Sequence, residues 1–258
     1  MKGYLPRTFV DDAGHELRTP VTVLRGHLEV LDTDDAADVA STRALLLNEI
    51  DRMSRMVDDL IVLAKAGRPD FVQPQWVDAA ALTDQVLTKM SATAPRDWQV
   101  DSRAVGSVEV DAQRITQALL QLVGNAVRHT EPGDVVAIGS DRGVDAVRWW
   151  VRDSGPGIAV HEQEAIFERF RRGEHGVATG EGSGLGLSIV RAIAQAHGGR
   201  VDVQSVVGGG ATFVLSVPAG APEPDLPTPG SHDEPHEHDR TPTLTLSTGP
   251  TEPRGGGR

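Results

Sequence analysis

Two apolar stripes dominate the first 65 residues, and each advances by alternating steps of four and three. Val10, Leu17, Val21, Leu24, Leu28 and Leu31, with Gly14 at the vacant step, form one; Leu46, Ile50, Met53, Val57, Leu60 and Ala64 form the other. This spacing marks a helical seam that needs a partner to cover it. The first helix is expected from Thr8 to Leu31, bent after Pro20, where a backbone donor is missing. An acidic link, Asp32 to Asp38, reverses the chain. Ser41 or Thr42 then caps a second helix that closes at Gly67 before Pro69. Two copies of such a hairpin bury their seams as a four-helix bundle, so a homodimer is expected over residues 1–67. The alternative is a monomeric hairpin packed on the rest of the chain.

His15 stands one residue past the first seam, with Glu16 beside it and Thr19 one turn away on its own face. Its ring points to solvent or to a partner. An imidazole is mostly neutral near pH 7, so one ring nitrogen offers a lone pair while the other carries a proton that a carboxylate such as Glu16 can take. Two readings stand open for such a residue: an ordinary surface histidine, or a phosphoryl acceptor.

The remaining sequence reads as mixed α and β structure. Residues 68–77 form a linker with Pro69, Pro74 and Trp76. Asp78 caps a helix to about Ser91 that turns Leu82, Val86 and Met90 inward, and Asp111 caps another to Arg128. Strands are expected at 99–102, 107–110, 135–140, 144–152, 200–206 and 211–217, with a turn at Asp141-Arg142-Gly143 and a helix at 186–197. From Pro218 the composition is that of a disordered tail; its His232, His236 and His238 are a weak metal candidate or, simply, a solvated polar segment.

Charge and composition limit what this chain does. With 37 acidic and 25 basic residues, net −12, a nucleic-acid or anionic-membrane surface is not the expected partner. There is no cysteine, hence no disulfide framework and no thiolate ligand. No apolar run reaches the length of a membrane span, so a cytoplasmic chain is expected.

Three short motifs carry the candidate chemistry. Gln117, Gln121 and Asn125 recur every four residues on the helix after Asp111, followed by Arg128, on a face distinct from Ile115, Leu119, Leu122 and Ala126. This is either an ordinary polar face or a place where the Asn125 amide oxygen meets Mg²⁺, a hard cation that keeps substrate phosphates as co-ligands. Asp153-Ser154-Gly155-Pro156-Gly157 ends a strand, where a carboxylate can accept from an exocyclic amine and glycines admit a flat ring. Gly182-Ser183-Gly184-Leu185-Gly186 opens a helix, an anion site of uncovered backbone N–H groups. It is neither a Walker loop nor a dinucleotide fingerprint.

His-Glu-Leu-Arg-Thr-Pro at 15–20 resembles the phosphoacceptor box of two-component sensor histidine kinases. The ordered series Asn125, Asp153-x-Gly-x-Gly, Ile166-Phe167-Glu168-Arg169-Phe170 and Gly182-x-Gly-x-Gly resembles the N, G1, F and G2 boxes of their ATP-binding domain. The likeness spans residues 8 to 217. It implies an α+β chain: a dimeric helical-hairpin domain (1–67), a linker (68–77), an α/β sandwich of the GHKL (Bergerat) type (78–217) and a tail (218–258).

By this resemblance Asn125 holds Mg²⁺, and Asp153, Gly155 and Gly157 surround adenine. Gly182, Gly184, Leu185 and Gly186 take the phosphates, with Arg128, Arg171 and Arg172 as further phosphate contacts. Phe167 and Phe170 anchor a lid or are simply core. His15 receives the γ-phosphoryl of ATP, Glu16 orients its ring, and Thr19 places a water for dephosphorylating the partner, a response regulator receiver domain. Related ATPases carry a catalytic Glu four residues before the Asn; here it is Gln121, which is not a base and favours transfer over hydrolysis. Two rivals stand beside the kinase: a non-catalytic dimeric scaffold that binds nucleotide, and an ATPase acting on other proteins. Relatives usually place a membrane-spanning sensor ahead of the phosphoacceptor helix. This chain is therefore expected to be the cytoplasmic part of a membrane-anchored sensor, or to take its input another way.

Overall fold

In the computed structural model, residues 7–171 and 183–220 are described. Helix α1 (Arg7–Val30) runs unbroken through Pro20, and α2 (Ala36–Lys65) returns beside it. The second helix starts earlier than Ser41. Asp35 is its N-cap, its carboxylate accepting from the Ala37 N–H, while Asp32 accepts from the Asp34 N–H and donates its own N–H to Asp38. This chain of acid-to-backbone bonds satisfies the helix's first donors within a short turn. Thr42 is then an interior residue, and buried.

The segment expected as a linker is partly built into the fold. Strand β1 (Gln75–Asp78) pairs antiparallel with β3 (Ser107–Val110), and Phe71 is buried under the Arg114 guanidinium, 4.5 Å from its ring centre. Asp78 caps α3 (Ala79–Ser91) through the Ala81 N–H, and Asp111 caps α4 (Ala112–Arg128) through the Arg114 N–H. Both caps and both helix ends fall where the sequence places them.

Strands β2 (Asp97–Ser102), β4 (Val135–Arg142), β5 (Ala146–Asp153), β6 (Arg200–Ser205) and β7 (Ala211–Pro218) form one sheet in the order β2-β4-β5-β7-β6. Only β2 and β4 run parallel. The turn between β4 and β5 lies at Gly143, whose N–H donates to the Ala146 carbonyl, slightly later than the Asp141-Arg142-Gly143 signal suggested.

One face of the sheet is covered by α3, α4 and α5 (Gly186–Ala196). Helix α4 seals it with Ile115, Leu119 and Leu122, all fully buried, and each contributes roughly 1.5–3 kcal/mol relative to exposure. On β5 the period-two alternation turns Val147, Trp149 and Val151 into this core, and the same alternation carries Asp153 inward at the strand end.

The helical hairpin joins the same core chiefly through residues outside its seams, with the seam residues Leu17, Leu60 and Ala64 packed beside them at partial burial. Met56 and Leu63, seven residues apart on α2, are buried at 1% and 5% exposure, together with Phe9 from α1. The seams remain partly open in the single chain: Val21, Leu28, Ile50 and Val57 are exposed. Phe9 also lies 5.1 Å beneath the Arg169 guanidinium, linking α1 to the segment that carries Phe167 and Phe170.

Candidate functional site

A cavity of about 820 Å³ lies between α2, α4, the strand end at Asp153 and the glycine loop before α5. Asn125, Arg128, Asp153, Gly157, Arg171, Gly184 and Gly186 line it, so motifs separated by some sixty residues converge on one space. Its size suits a small-molecule ligand.

Asp153 is 6% exposed, and its Oδ1 accepts from the Gly155 N–H at 3.0 Å and the Ala211 N–H at 3.2 Å. Burial pushes its carboxyl above the ordinary range, and these two backbone donors offset part of that rise. Gly157 has φ +72°, and a Cβ there would stand 2.1 Å from the Val206 carbonyl oxygen. Neither the backbone angle nor the space admits a side chain. Gly157→Ala is therefore expected to shift this loop, destabilise the fold by about 1–3 kcal/mol, and weaken nucleotide binding. Thermal unfolding and titration with a fluorescent nucleotide analogue measure the two effects.

On α4 the polar stripe beside the buried face reaches the cavity through Gln121 and Asn125, and Arg128 Nη1 stands 3.5 Å from Asn125 Oδ1. The glycine loop is tied back by Phe170, whose N–H donates to the Gly184 carbonyl and whose own φ is +60°. Gly184 sits at φ +68°, where a Cβ would press on the Phe170 backbone. Leu185 is buried outside the cavity lining, with its N–H directed to Ser183 Oγ. Phe167 is a core residue, packed edge-on to Phe213 at 6.2 Å. Gly182 and Arg172, like the tail histidines, lie outside the described residues.

His15 is exposed and lies outside the cavity lining, as do Glu16 and Thr19. Arg18 Nη1 approaches its Nδ1 at 3.5 Å. The sequence reading missed the cavity's outer wall, which α2 supplies through Asn48, Arg52, Arg55, Met56, Asp58 and Asp59. The available signal was Met56 and Leu63, two apolar residues at heptad spacing that belong to neither seam.

Two family models match this chain. Residues 7–69 match the His Kinase A (phospho-acceptor) domain, and residues 110–221 match the histidine kinase-, DNA gyrase B-, and HSP90-like ATPase. The chain belongs to the two-component sensor histidine kinases. The sensor protein SrrB of Staphylococcus aureus is 31% identical over 224 residues, which cover 83% of this chain and 38% of SrrB. The chain thus spans well under half the length of that relative. The solved histidine kinase AdeS of Acinetobacter baumannii is 26% identical with a TM-score of 0.62, over 80% of this chain and 98% of AdeS. The kinase ThkA, solved in complex with the response regulator protein TrrA, shares the fold at a TM-score of 0.66 and 24% identity, over 83% of this chain and 62% of that one. Among the described residues no helix is long and apolar enough to cross a membrane.

Proposed function

We propose that this kinase core transfers the γ-phosphoryl group of ATP to His15 and then passes it to an aspartate of a response regulator. The observation that carries this reading is the convergence of Asn125, Asp153, Gly157, Gly184 and Gly186 on one cavity in a chain that also exposes His15 within His-Glu-Leu-Arg-Thr-Pro. The Asp153 Oδ2 accepts from the adenine amine, since Oδ1 already serves two backbone donors. The backbone at Gly184 and Gly186 faces the phosphates at the start of α5, where donors are unpaired by the helix. Arg128 and Arg171 contribute positive charge to the same wall.

Mg²⁺ fits this donor set in one way. Among the described residues no group of three or more His, Cys, Asp or Glu could cage a metal, whereas the Asn125 amide oxygen suits a hard cation held mainly by phosphate oxygens and water. When bound, the ion neutralises charge on the transferring phosphoryl group.

At His15 a ring nitrogen attacks the γ-phosphorus, the bond to the β–γ bridging oxygen breaks, and ADP leaves. The ring's other nitrogen loses its proton to Glu16. Arg18 offers only donors, so its approach to Nδ1 is incompatible with a proton there. Because His15 lies outside the cavity lining, transfer requires the ATP-binding domain to move or a second subunit to present its ring. The open seam residues Val21, Leu28, Ile50 and Val57, between 41% and 55% exposed, support the homodimer. Thr19, exposed one turn beyond His15, is the residue we assign to positioning a water in dephosphorylation of the regulator.

The boundaries we assign are a phosphoacceptor domain to residue 67 and an ATP-binding domain over 78–217. Incubation of the chain with γ-labelled ATP and Mg²⁺ is expected to give protein-bound label that is lost in acid and kept in alkali. Nucleotide binding without label would instead favour the scaffold, and steady phosphate release without label would favour a hydrolytic ATPase.

A further inference from the structure

We propose that Asp59 of α2 is a positioning residue that clasps α4 and the glycine loop onto the phosphoacceptor domain, and that nucleotide phosphates must displace this clasp. The proposal rests on the kinase reading above. Asp59 lies on the α2 face of Met56 and Leu63, not on the seam. Its Oδ1 accepts from Gln121 Nε2 at 3.1 Å, and its Oδ2 from Ser183 Oγ at 3.4 Å. The first donor stands one turn before Asn125 on α4; the second opens the glycine loop. One carboxylate therefore bridges both halves of the phosphate side of the cavity from the opposite domain.

Gln121 is held on its other side as well. Its Oε1 lies 2.8 Å from where a Cβ on Gly186 would stand, so the glycine lets the amide reach between the helix start and Asp59. The amide that stands where related ATPases carry Glu thus has a structural task. Asp59, Gln121, Ser183 and Gly186 all line the nucleotide cavity. Burial raises the Asp59 carboxyl above the ordinary range, with Asp58 adding to the rise and Arg55, Gln121 and Ser183 opposing it. An incoming triphosphate brings more negative charge to this partly desolvated anion and competes for the Ser183 hydroxyl. Phosphate binding and the clasp thus oppose each other, and the opposition is reciprocal.

The chain has no cysteine, so Asp59→Cys with Ser183→Cys creates a single possible disulfide within each subunit, which migrates as a monomer in non-reducing gels and is thereby told from a cross-subunit link. We expect it to form on oxidation, to form more slowly with Mg·ATP present, and to suppress autophosphorylation until reductant is added. Asp59→Ala should lower the KM for ATP by about fivefold or more, the lower range of ordinary site coupling, with kcat changed less. Asp59→Asn, which keeps an acceptor oxygen, should fall between Ala and the parent. Equal labelling by the cross-linked and the reduced protein, or an unchanged KM in both Asp59 variants, would overturn the proposal. A parent chain that binds nucleotide but never labels would overturn the kinase reading itself, and the clasp with it.

Discussion

Replacing His15 with alanine is expected to abolish acid-labile labelling while leaving nucleotide affinity at the parent value. The loss is complete because no neighbouring side chain can form the phosphoramidate in its place: the reaction needs an uncharged nitrogen lone pair, and the nearby exposed side chains on α1 are the carboxylates of Asp11 and Asp12, the cationic Arg18 and the weakly nucleophilic hydroxyl of Thr19. Nucleotide affinity is preserved because His15 lies outside the cavity lining. Stability should barely change, since the ring is exposed and its contact with Arg18 lies at the limit of hydrogen bonding. Labelling in parallel with a fluorescent-nucleotide titration checks both halves. A His15→Ala protein that still carries acid-labile label would remove His15 as the acceptor.

Asp153→Asn is expected to have the opposite profile, losing the nucleotide while keeping or gaining stability. The asparagine Oδ1 can still accept from the Gly155 and Ala211 N–H groups, so the amide is oriented with its NH₂ where the carboxylate offered Oδ2. A donor then faces the donor of the adenine amine. Loss of a charge-assisted hydrogen bond, together with an unpaired buried donor, costs about 3 kcal/mol or more, roughly a hundredfold in affinity.

The stability side follows from the direction of the shift. Burial raises the Asp153 carboxyl, so the folded protein holds that proton more tightly than the unfolded chain does. Its contribution falls as pH rises from the ordinary value of 3.8 through the raised one, and at neutral pH the buried charge remains a net cost. Asparagine removes the cost and that portion of the pH dependence. Unfolding of parent and variant between pH 4 and pH 7, with nucleotide titration at neutral pH, measures both effects; a variant that loses stability and keeps the nucleotide would refute the assignment.

Local rules account for most of what was readable without coordinates. Asp78 and Asp111 were legible as caps because a side-chain oxygen two or three residues from an open N–H needs nothing distant to act. The inward faces of α3 and α4 follow from helical period, and the position of Asp153 follows from the pleat of β5. The motif residues were identified by type and order, and the fold brings Asn125, Asp153, Gly157, Gly184 and Gly186 to one cavity.

Local reading went astray where competing signals were equally local. Thr42 resembled a cap, but the bonds among Asp32, Asp34, Asp35 and Asp38 start α2 first. The segment with two prolines resembled a linker, but β3 offers Gln75 to Asp78 a ladder of hydrogen bonds and Arg114 covers Phe71.

The amino-acid sequence by itself determined most of the helices, the caps of α3 and α4, and the two apolar seams, because each depends on neighbours within a turn or a strand. Only the tertiary structure decided that Met56 and Leu63 dock the hairpin on the ATP-binding domain and that Asp59 meets Gln121 and Ser183, 62 and 124 residues away. No periodicity encodes such a meeting. It arises when two separately amphipathic surfaces bury their apolar residues together and carry the polar ones between them into contact.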